Sequence, residues 1–282
     1  MLASLRAELF KLRKRTALWL IVVAWLVLSL LFGYVFPYLS YHGIAAGPEA
    51  ASGASAQRVL AGALPADLVP SAIQGFPVFA GALALILGVL CVGSEYSWQT
   101  VKVMFSQGPR RFSVLAGKTA SVLLVMLMIV VLTFAVDALA ALLIASITSG
   151  PVSWPPIGDL LRGVGAGWLI VGMWALAGMF LGFILRGTAL AVGIGLVWTL
   201  AVENLLRAFA STISAINVLQ RWFPGTNAGS LAAALGVPTM GKGGDPGITA
   251  TVSGQQATLV LIGYLVVFVA ISTVLVNRRD IT

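Results

Sequence analysis

The sequence predicts an all-α polytopic membrane protein with six transmembrane helices, an N-terminal interfacial helix and a cytoplasmic coupling helix. Of its 282 residues, 59% are hydrophobic and only 9% are charged, and the mean hydropathy is +1.01. A soluble domain carries roughly 25% charged residues, because its surface must face water. The apolar residues form long runs instead of alternating with polar ones, which favours helices over a β-barrel. These observations exclude a soluble protein.

Six windows are apolar enough and long enough to cross a bilayer core, which requires about 20 helical residues. They are approximately 17–36, 76–92, 119–147, 164–185, 189–205 and 258–276. The first is longer than the apolar region of a signal peptide, so we expect it to stay in the protein. The third is longer than a perpendicular span needs and should tilt or project beyond the bilayer.

The basic residues predict the orientation of these spans. With the N-terminus in the cytoplasm, 12 of the 17 Lys and Arg residues fall in inside segments and 5 in outside segments. This distribution follows the positive-inside rule. We therefore expect a multi-pass protein of the cell membrane with both termini in the cytoplasm. The net charge of +8 then reflects topology and does not indicate nucleic-acid binding.

Residues 1–16 are predicted to form an interfacial helix on the inner leaflet, before a six-helix domain of residues 17–282. At 100° per residue, its leucines fall within an arc of about 80°: Leu2, Leu5, Leu9 and Leu12. Arg6 and Arg13 flank this stripe and can reach lipid headgroups. The alternative is a basic topology signal in which the spacing of the leucines is accidental.

Segment 94–118 joins the second and third spans inside the cell and is predicted to carry the coupling helix. Ser94 can cap a short helix there, and Gly108-Pro109 ends it. Aromatic and charged residues would form its contact surface: Glu95, Tyr96, Trp98, Thr100, Phe105, Arg110 and Arg111. Exposed aromatics framed by charge are typical of a protein–protein contact. The alternative is that they lie in the headgroup belt, above all Trp98.

The last outside region, 206–257, contains an amphipathic stretch that ends at residues 221–224. We expect a helix that lies on or dips into the outer leaflet. A glycine-rich loop at residues 240–247 follows it, which we expect to be mobile.

Several motifs resemble those of the six-span permease subunits of bacterial type-2 ABC exporters. They are Glu8-x-x-Lys11-Leu-Arg13, Glu95-Tyr-x-x-x-Thr100, Pro109-x-Arg111, Gly117-Lys118 and Arg221-x-x-Pro224. The resemblance covers the whole chain, and the order of the motifs carries more weight than any single one. It implies that a cytoplasmic ABC ATPase receives the coupling helix. It also implies that two permeases, identical or paralogous, work with two ATPases, which bind ATP and Mg.

The chain itself is expected to lack an ATP site and any other enzymatic site. Gly117-Lys118-Thr119 looks like the end of a Walker A loop, but Phe112 stands where that motif needs a glycine. One cysteine and one histidine exclude disulfide frameworks, CxxC pairs and zinc sites built from Cys and His. We therefore expect no catalytic residue, no metal and no cofactor bound by this chain.

Two acids fall in apolar windows, and an intramembrane carboxylate is by default a functional candidate. Asp137 could relay protons, attract a cationic substrate or make a buried hydrogen bond, and we favour a structural or substrate-lining role. Glu203 is expected to pair locally with Arg207 beside Asn204. Asp137, Glu203 and Asn204 are thus the candidates for a substrate path. The alternative function is a stand-alone secondary transporter or channel, which would need further intramembrane charges or repeat symmetry.

Overall fold

The computed structural model describes residues 2–43, 56–97, 111–210, 212–240 and 244–278. Within these ranges the chain is helical and contains no β-strand. Trp98, Thr100, Phe105 and Arg110 lie outside the described residues, as does the side chain of Arg111.

The described residues form ten helices, which we number in chain order. They are α1 (Leu2–Lys14), α2 (Thr16–Tyr41), α3 (Ala56–Gly62), α4 (Pro65–Tyr96), α5 (Arg111–Thr148), α6 (Ile157–Leu185), α7 (Ala189–Phe209), α8 (Ser214–Gln220), α9 (Pro224–Ala234) and α10 (Gly254–Arg278). Six of them, α2, α4, α5, α6, α7 and α10, are long and apolar enough to cross a membrane. The predicted all-α fold with six helices able to span a membrane is therefore confirmed.

The spanning helices extend beyond the hydropathy windows. The 38 residues of α5 make a helix of about 57 Å, against a bilayer core of about 30 Å. Helix α4 begins at Pro65, well before the window at residue 76, because the segment Leu68–Ile73 is buried against other helices. Hydropathy indicates the part of a helix that contacts lipid. It therefore misses helical turns that are packed against the rest of the protein.

Three of the spanning helices contain a π-helical turn. These turns are Leu31–Val35 in α2, Phe76–Ala80 in α4 and Val197–Val202 in α7. A π turn inserts one residue into the α-helical ladder and is frequent at functional sites. The first two turns lie close together, since the rings of Phe32 and Phe79 stack with centroids 6.0 Å apart.

Helices α4 and α6 form the centre of the bundle. A Cβ atom on Gly88 of α4 would meet the backbone oxygen of Ala175. A Cβ atom on Gly178 of α6 would likewise meet the backbone oxygen of Leu85. Glycine at these contacts allows two backbones to approach more closely than any side chain permits.

We expect Gly178→Ala to destabilise the protein by about 1–3 kcal/mol, because the added methyl group must push two packed backbones apart. The matched control is Gly165→Ala on the same helix, where a Cβ atom meets no atom within 4 Å. Thermal unfolding of both variants in detergent measures the difference. Equal unfolding temperatures for the two variants would contradict this account of the α4–α6 contact.

Candidate functional site

Helix α1 packs against the start of α5, and we call this end of the bundle the α1 end. Leu12 is buried and Leu9 packs against the core. A Cβ atom on Gly117 of α5 would touch Ser4, so the backbones of the two helices lie close together. The leucine stripe thus faces protein to a large extent, whereas Phe10 is 62% exposed. Arg6 and Arg13 are exposed, and Leu5 is half-buried.

Four charged side chains meet where α1, α4 and α5 converge, and we call them the charge cluster: Glu8, Lys11, Glu95 and Lys118. Lys118 Nζ lies 2.8 Å from Glu8 Oε2 and 2.8 Å from Glu95 Oε1. Lys11 Nζ lies 2.7 Å from Glu8 Oε1 and 3.2 Å from Glu95 Oε1. Each lysine therefore bridges both carboxylates, and the formal charges of the four groups cancel.

Three of the four side chains of the charge cluster are buried although it lies at the end of the bundle, whereas the Lys11 side chain is 42% exposed. Lys118 is 2% exposed, and Glu8 and Glu95 are each 6% exposed. Lys118 Nζ also donates a hydrogen bond to the carbonyl oxygen of Cys91 at 3.2 Å. Buried charges are tolerated when they are paired and hydrogen-bonded, and removing one partner leaves an uncompensated charge. The cluster thus ties α1 to the end of α4 and the start of α5.

The structure changes the expected role of the residues around Glu95. Helix α4 continues through Ser94, whose hydroxyl donates to the carbonyl oxygen of Leu90 at 2.6 Å. The prediction that Ser94 caps a new helix is therefore wrong. Glu95, expected to orient a partner protein, instead binds Lys118 and Lys11, and Tyr96 is half-buried against the core.

The charge cluster shifts the pKa values of the two residues that α1 contributes. Burial raises the pKa of Glu8, but the charge of Lys118 and hydrogen bonds from both lysines outweigh it, and the net pKa is lowered. Burial lowers the pKa of Lys11, but its hydrogen bond to Glu8 and the charge of Glu95 outweigh it, and the net pKa is raised. Both shifts favour the charged, paired forms.

These shifts predict a pH range for the docking of α1. Because the pKa of Glu8 is lowered in the fold, its ionised form stabilises the fold at pH values above the ordinary pKa of 4.5. This stabilisation is lost as the pH falls through the lowered pKa of the folded protein. Because the pKa of Lys11 is raised in the fold, its charged form stabilises the fold at pH values below 10.5. This stabilisation is lost as the pH rises through the raised pKa of the folded protein. We expect a spin label on Ala7→Cys to keep constant mobility from about pH 5 to pH 10 and to gain mobility in stronger acid.

The spin-label measurement has an internal control. Ala7 is exposed, and Cys91 is buried away from the labelling reagent. A label on Ser153→Cys, at an exposed position far from the charge cluster, should show no such acid transition. A mobility change of Ala7→Cys centred between pH 6 and 8 would contradict the assignment to Glu8 and Lys11.

A second buried charged group lies at the opposite end of the bundle. Glu203, in α7, is 1% exposed. Trp198 Nε1 donates to Glu203 Oε1 at 2.8 Å, and Arg207 Nη2 lies 3.8 Å from Glu203 Oε2. The predicted local pair with Arg207 is thus present. The backbone N–H groups of Gly225 and Thr226 also face the carboxylate, so Glu203 meets the unpaired N–H groups at the start of α9.

Sequence reasoning missed α9, because it predicted an amphipathic helix ending at residues 221–224 and a loop at 240–247, and assigned no structure to the residues between them. The amphipathic helix itself is present as α8, with Val218 and Leu219 exposed. Helix α9 follows and is buried from Pro224 to Ala232. Two signals could have revealed it, Pro224 at the first helical position and the small residues at Gly225 and Gly229. At the start of the loop predicted for residues 240–247, Met240 N donates a hydrogen bond to Ile248 O at 3.1 Å.

The candidate substrate-path residues do not converge. Asp137 is fully buried in α5, where Ser29 Oγ donates to its carboxylate oxygens at 2.9 and 3.2 Å. Glu203 lies in α7 against α9, and Asn204 Nδ2 donates to Leu200 O within its own helix at 2.9 Å. Asp137 is 19 residues from Lys118 on one helix, or about 28 Å along its axis. It therefore lies far from the charge cluster.

The part of the chain that the structure describes contains no group of three or more His, Cys, Asp or Glu residues that could hold a metal ion.

A protein-family model described as "Protein of unknown function (DUF2705)" matches residues 21–282. A search of curated proteins finds no match. The family match covers most of the chain and brings no activity with it.

Proposed function

The chain belongs to the DUF2705 family of proteins of unknown function, and we propose that it is the transmembrane permease subunit of an ATP-driven exporter. In this proposal both termini are cytoplasmic, and the α1 end of the bundle faces the cytoplasm. A separate cytoplasmic ABC ATPase binds there, in two copies with two permeases, and binds ATP and Mg. The permease forms the substrate path and hydrolyses no ATP itself.

The charge cluster is the observation that carries this proposal. Segment 97–110 connects α4 to α5, and Glu95 and Lys118 bind each other on either side of it at 2.8 Å. Glu8 adds α1 to the same buried contact. A force applied to the segment would therefore move α1, α4 and α5 together, because buried ion pairs resist separation. A coupled transporter requires this property, since ATPase movement must reach the spans as a rigid-body displacement.

The same four residues also carry part of the resemblance to type-2 ABC permeases. Glu8 and Lys11 belong to its N-terminal motif, Glu95 opens its second motif and Lys118 closes its fourth. Residues far apart in sequence are thus brought into direct contact. This convergence favours a common role for the motifs over chance similarity in each.

A stand-alone secondary transporter or channel is the alternative. It would use intramembrane charges at a shared substrate site. Asp137 and Glu203 do not form such a site, because Asp137 contacts Ser29 and Glu203 contacts the start of α9. Its distinguishing result is ion or solute flux through the purified chain in liposomes without ATP. The proposed permease should show no such flux without its ATPase.

The test of the proposal is to co-express this chain with each ABC ATPase whose gene lies next to its own, if there is one, and to purify the two proteins together in lipid. We expect a stable complex whose ATP hydrolysis requires both proteins. Trp98→Ala/Phe105→Ala should weaken the complex by about thirtyfold, because an anchor aromatic at an interface contributes about 2 kcal/mol. Trp154→Ala/Ile157→Ala is the matched control, since both side chains are exposed at the other end of the bundle.

Membrane insertion and thermal stability should be equal in the two double variants. Full recovery of the ATPase with Trp98→Ala/Phe105→Ala would show that segment 97–110 does not dock it. Failure of every neighbouring or co-purifying ABC ATPase to bind the wild-type chain would refute the permease assignment itself.

A further inference from the structure

Helix α1 lies against the sides of α4 and α5, at the boundary of their apolar windows. Gly117 of α5, where a Cβ atom would touch Ser4, lies two residues outside the window at 119–147. At the other end of α1, Arg15 Nη1 donates to the carbonyl oxygen of Leu90 at 2.6 Å, close to the end of the α4 window. Both α4 and α5 continue for six residues beyond these contacts. Helix α1 is therefore beside the bundle and not beneath it, at the level where lipid headgroups surround the protein.

The side of α1 that points away from the protein is exposed and basic. Successive residues of an α-helix are about 100° apart, so the buried residues Glu8 and Leu12 lie on one side of α1. Six exposed residues fall within about 120° on the opposite side, and we call them the basic face: Ala3, Arg6, Ala7, Phe10, Arg13 and Lys14. Phe10 lies near the middle of this face, with basic residues on both sides of it.

The charge cluster leaves the basic face without a competing negative charge. Glu8 is the only acidic residue within Leu2–Lys14, and its carboxylate is buried against Lys118 and Lys11. Glu95, the other acidic residue that the structure describes at this end, is buried to the same extent. The exposed charges of α1 are therefore all positive, and they attract a negatively charged ligand.

The aromatic residues of this region suit a lipid surface. Phe10 is 62% exposed, and Lys14 Nζ lies 5.7 Å from the centroid of its ring, so one lipid can contact both side chains. Trp19, in the first turn of α2, is 55% exposed and donates through Nε1 to the carbonyl oxygen of Arg13 at 3.0 Å. Tryptophan is enriched at membrane interfaces. Helices with aromatic and basic residues on an exposed face bind the interface by burying the ring and by attracting anionic lipids.

We propose that the basic face of α1 binds anionic phospholipids in preference to zwitterionic ones. The lipid phosphates pair with Arg6, Arg13 and Lys14, and the Phe10 ring enters the boundary between headgroups and acyl chains. The leucine stripe packs largely against the protein, so lipid contacts the opposite side of the helix. This inference goes beyond the proposed function and needs only this chain.

The test places an environment-sensitive fluorophore on Ala7→Cys of the full chain in phosphatidylcholine nanodiscs. Ala7 belongs to the basic face, and Cys91 is buried away from the labelling reagent. Rising fractions of phosphatidylglycerol are compared with equal fractions of phosphatidylethanolamine, which carries no net charge. We expect a saturable shift to an apolar environment with phosphatidylglycerol alone, which weakens at about 1 M salt. Equal shifts with the two lipids, or no shift with phosphatidylglycerol, would overturn the proposal.

A triple variant locates the site. Arg6→Gln/Arg13→Gln/Lys14→Gln removes the positive charges of the basic face. It should require about tenfold more phosphatidylglycerol for half of the shift, because each basic residue near an anionic surface strengthens binding several-fold. All three side chains are exposed, so thermal unfolding should match that of the wild type.

The matched control has the same net charge. Arg58→Gln/Arg162→Gln/Arg221→Gln removes three exposed arginines at the other end of the bundle and should titrate as the wild type does. Equal titrations of the two triple variants would overturn the proposal, because the preference would then follow net charge and not the basic face.

The aromatic contribution has its own control. Phe10→Ala should require about fivefold more phosphatidylglycerol, because the buried ring is lost. Phe112→Ala removes a ring of α5 that is 64% exposed at the same end, and it should titrate as the wild type does. Equal titrations of these two variants would contradict the insertion of Phe10.

A partner protein is the other possible occupant of the basic face. In that case, Arg6→Gln/Arg13→Gln/Lys14→Gln would lose ATPase binding and keep the wild-type titration with phosphatidylglycerol. That result would overturn the lipid proposal. A normal lipid titration of a wild-type chain that binds no ATPase would leave this inference intact and count against the exporter alone.

Discussion

Replacement of Lys118 by methionine should destabilise the protein by about 3–5 kcal/mol, the usual cost of removing one partner from a buried ion pair. Methionine fills a similar volume, so the loss comes from charge and not from a cavity. Glu8 and Glu95 would remain buried at 6% exposure each, and the lysine left beside them, Lys11, is partly exposed. Helix α1 should then detach, because two carboxylates of like charge repel across the α1–α4 contact.

Two controls separate this electrostatic effect from general damage. Lys14→Met removes an exposed lysine of α1 whose Nζ lies 5.7 Å from the ring centroid of Phe10, and it should change stability by less than about 0.5 kcal/mol. The triple variant Glu8→Gln/Glu95→Gln/Lys118→Met removes the buried charges together. It should recover most of the loss, since replacing a whole buried cluster is often close to neutral.

Chemical denaturation in detergent measures these differences, and spin-label mobility at Ala7→Cys reports whether α1 has detached. If Lys118→Met unfolds at the same denaturant concentration as Lys14→Met, the charge cluster does not hold α1 in place. A triple variant less stable than Lys118→Met would contradict the electrostatic explanation.

The sequence could predict the six spans because bilayer thickness constrains them directly. Every apolar window contains the middle of an observed spanning helix. The ends were harder to predict, since α4 begins in a segment covered by other helices and α7 continues past Asn204 to Phe209. The fold class follows from the thickness and apolar character of the bilayer, whereas the ends of these helices are determined by tertiary packing.

The charge cluster could be predicted only in part. Glu8 and Lys11 are three residues apart on one helix, so their pairing follows from helical geometry. Lys118 and Glu8 are 110 residues apart, and no local pattern indicates that they meet. Glu95 therefore looked like a surface charge available to a partner protein. The motifs located the residues that matter, but not which of them bind one another.

The site around Glu203 shows the same limit at the opposite end. Its pairing with Arg207 follows from four-residue spacing on α7. Its contact with the start of α9 could not be predicted in this way, because α9 consists of small residues that carry little hydropathy signal.

Segment 98–110 lies outside the described residues, so the predicted coupling helix stays a prediction.

Replacement of Glu203 by glutamine should destabilise the protein by about 3 kcal/mol although it changes little in shape. The amide keeps an oxygen that can accept from Trp198 Nε1. It leaves the charge of Arg207, whose side chain is 12% exposed, without its carboxylate. It can also turn N–H donors toward the N–H groups of Gly225 and Thr226, and two donors cannot bind each other. The start of α9 would then lose its acceptor.

The matched control is Asp159→Asn, which neutralises a carboxylate that pairs with Arg162 in the same way. That pair is closer, at 3.2 Å against 3.8 Å, but its side chains are 50% and 77% exposed. An exposed pair contributes about 1 kcal/mol or less, because water solvates both charges and salt screens them. Burial, and not distance, should therefore decide which substitution is severe. Hydrogen exchange in α9 should quicken about a hundredfold in Glu203→Gln and stay unchanged in Asp159→Asn, whereas equal protection of α9 in both variants would show that Glu203 does not hold this helix in place.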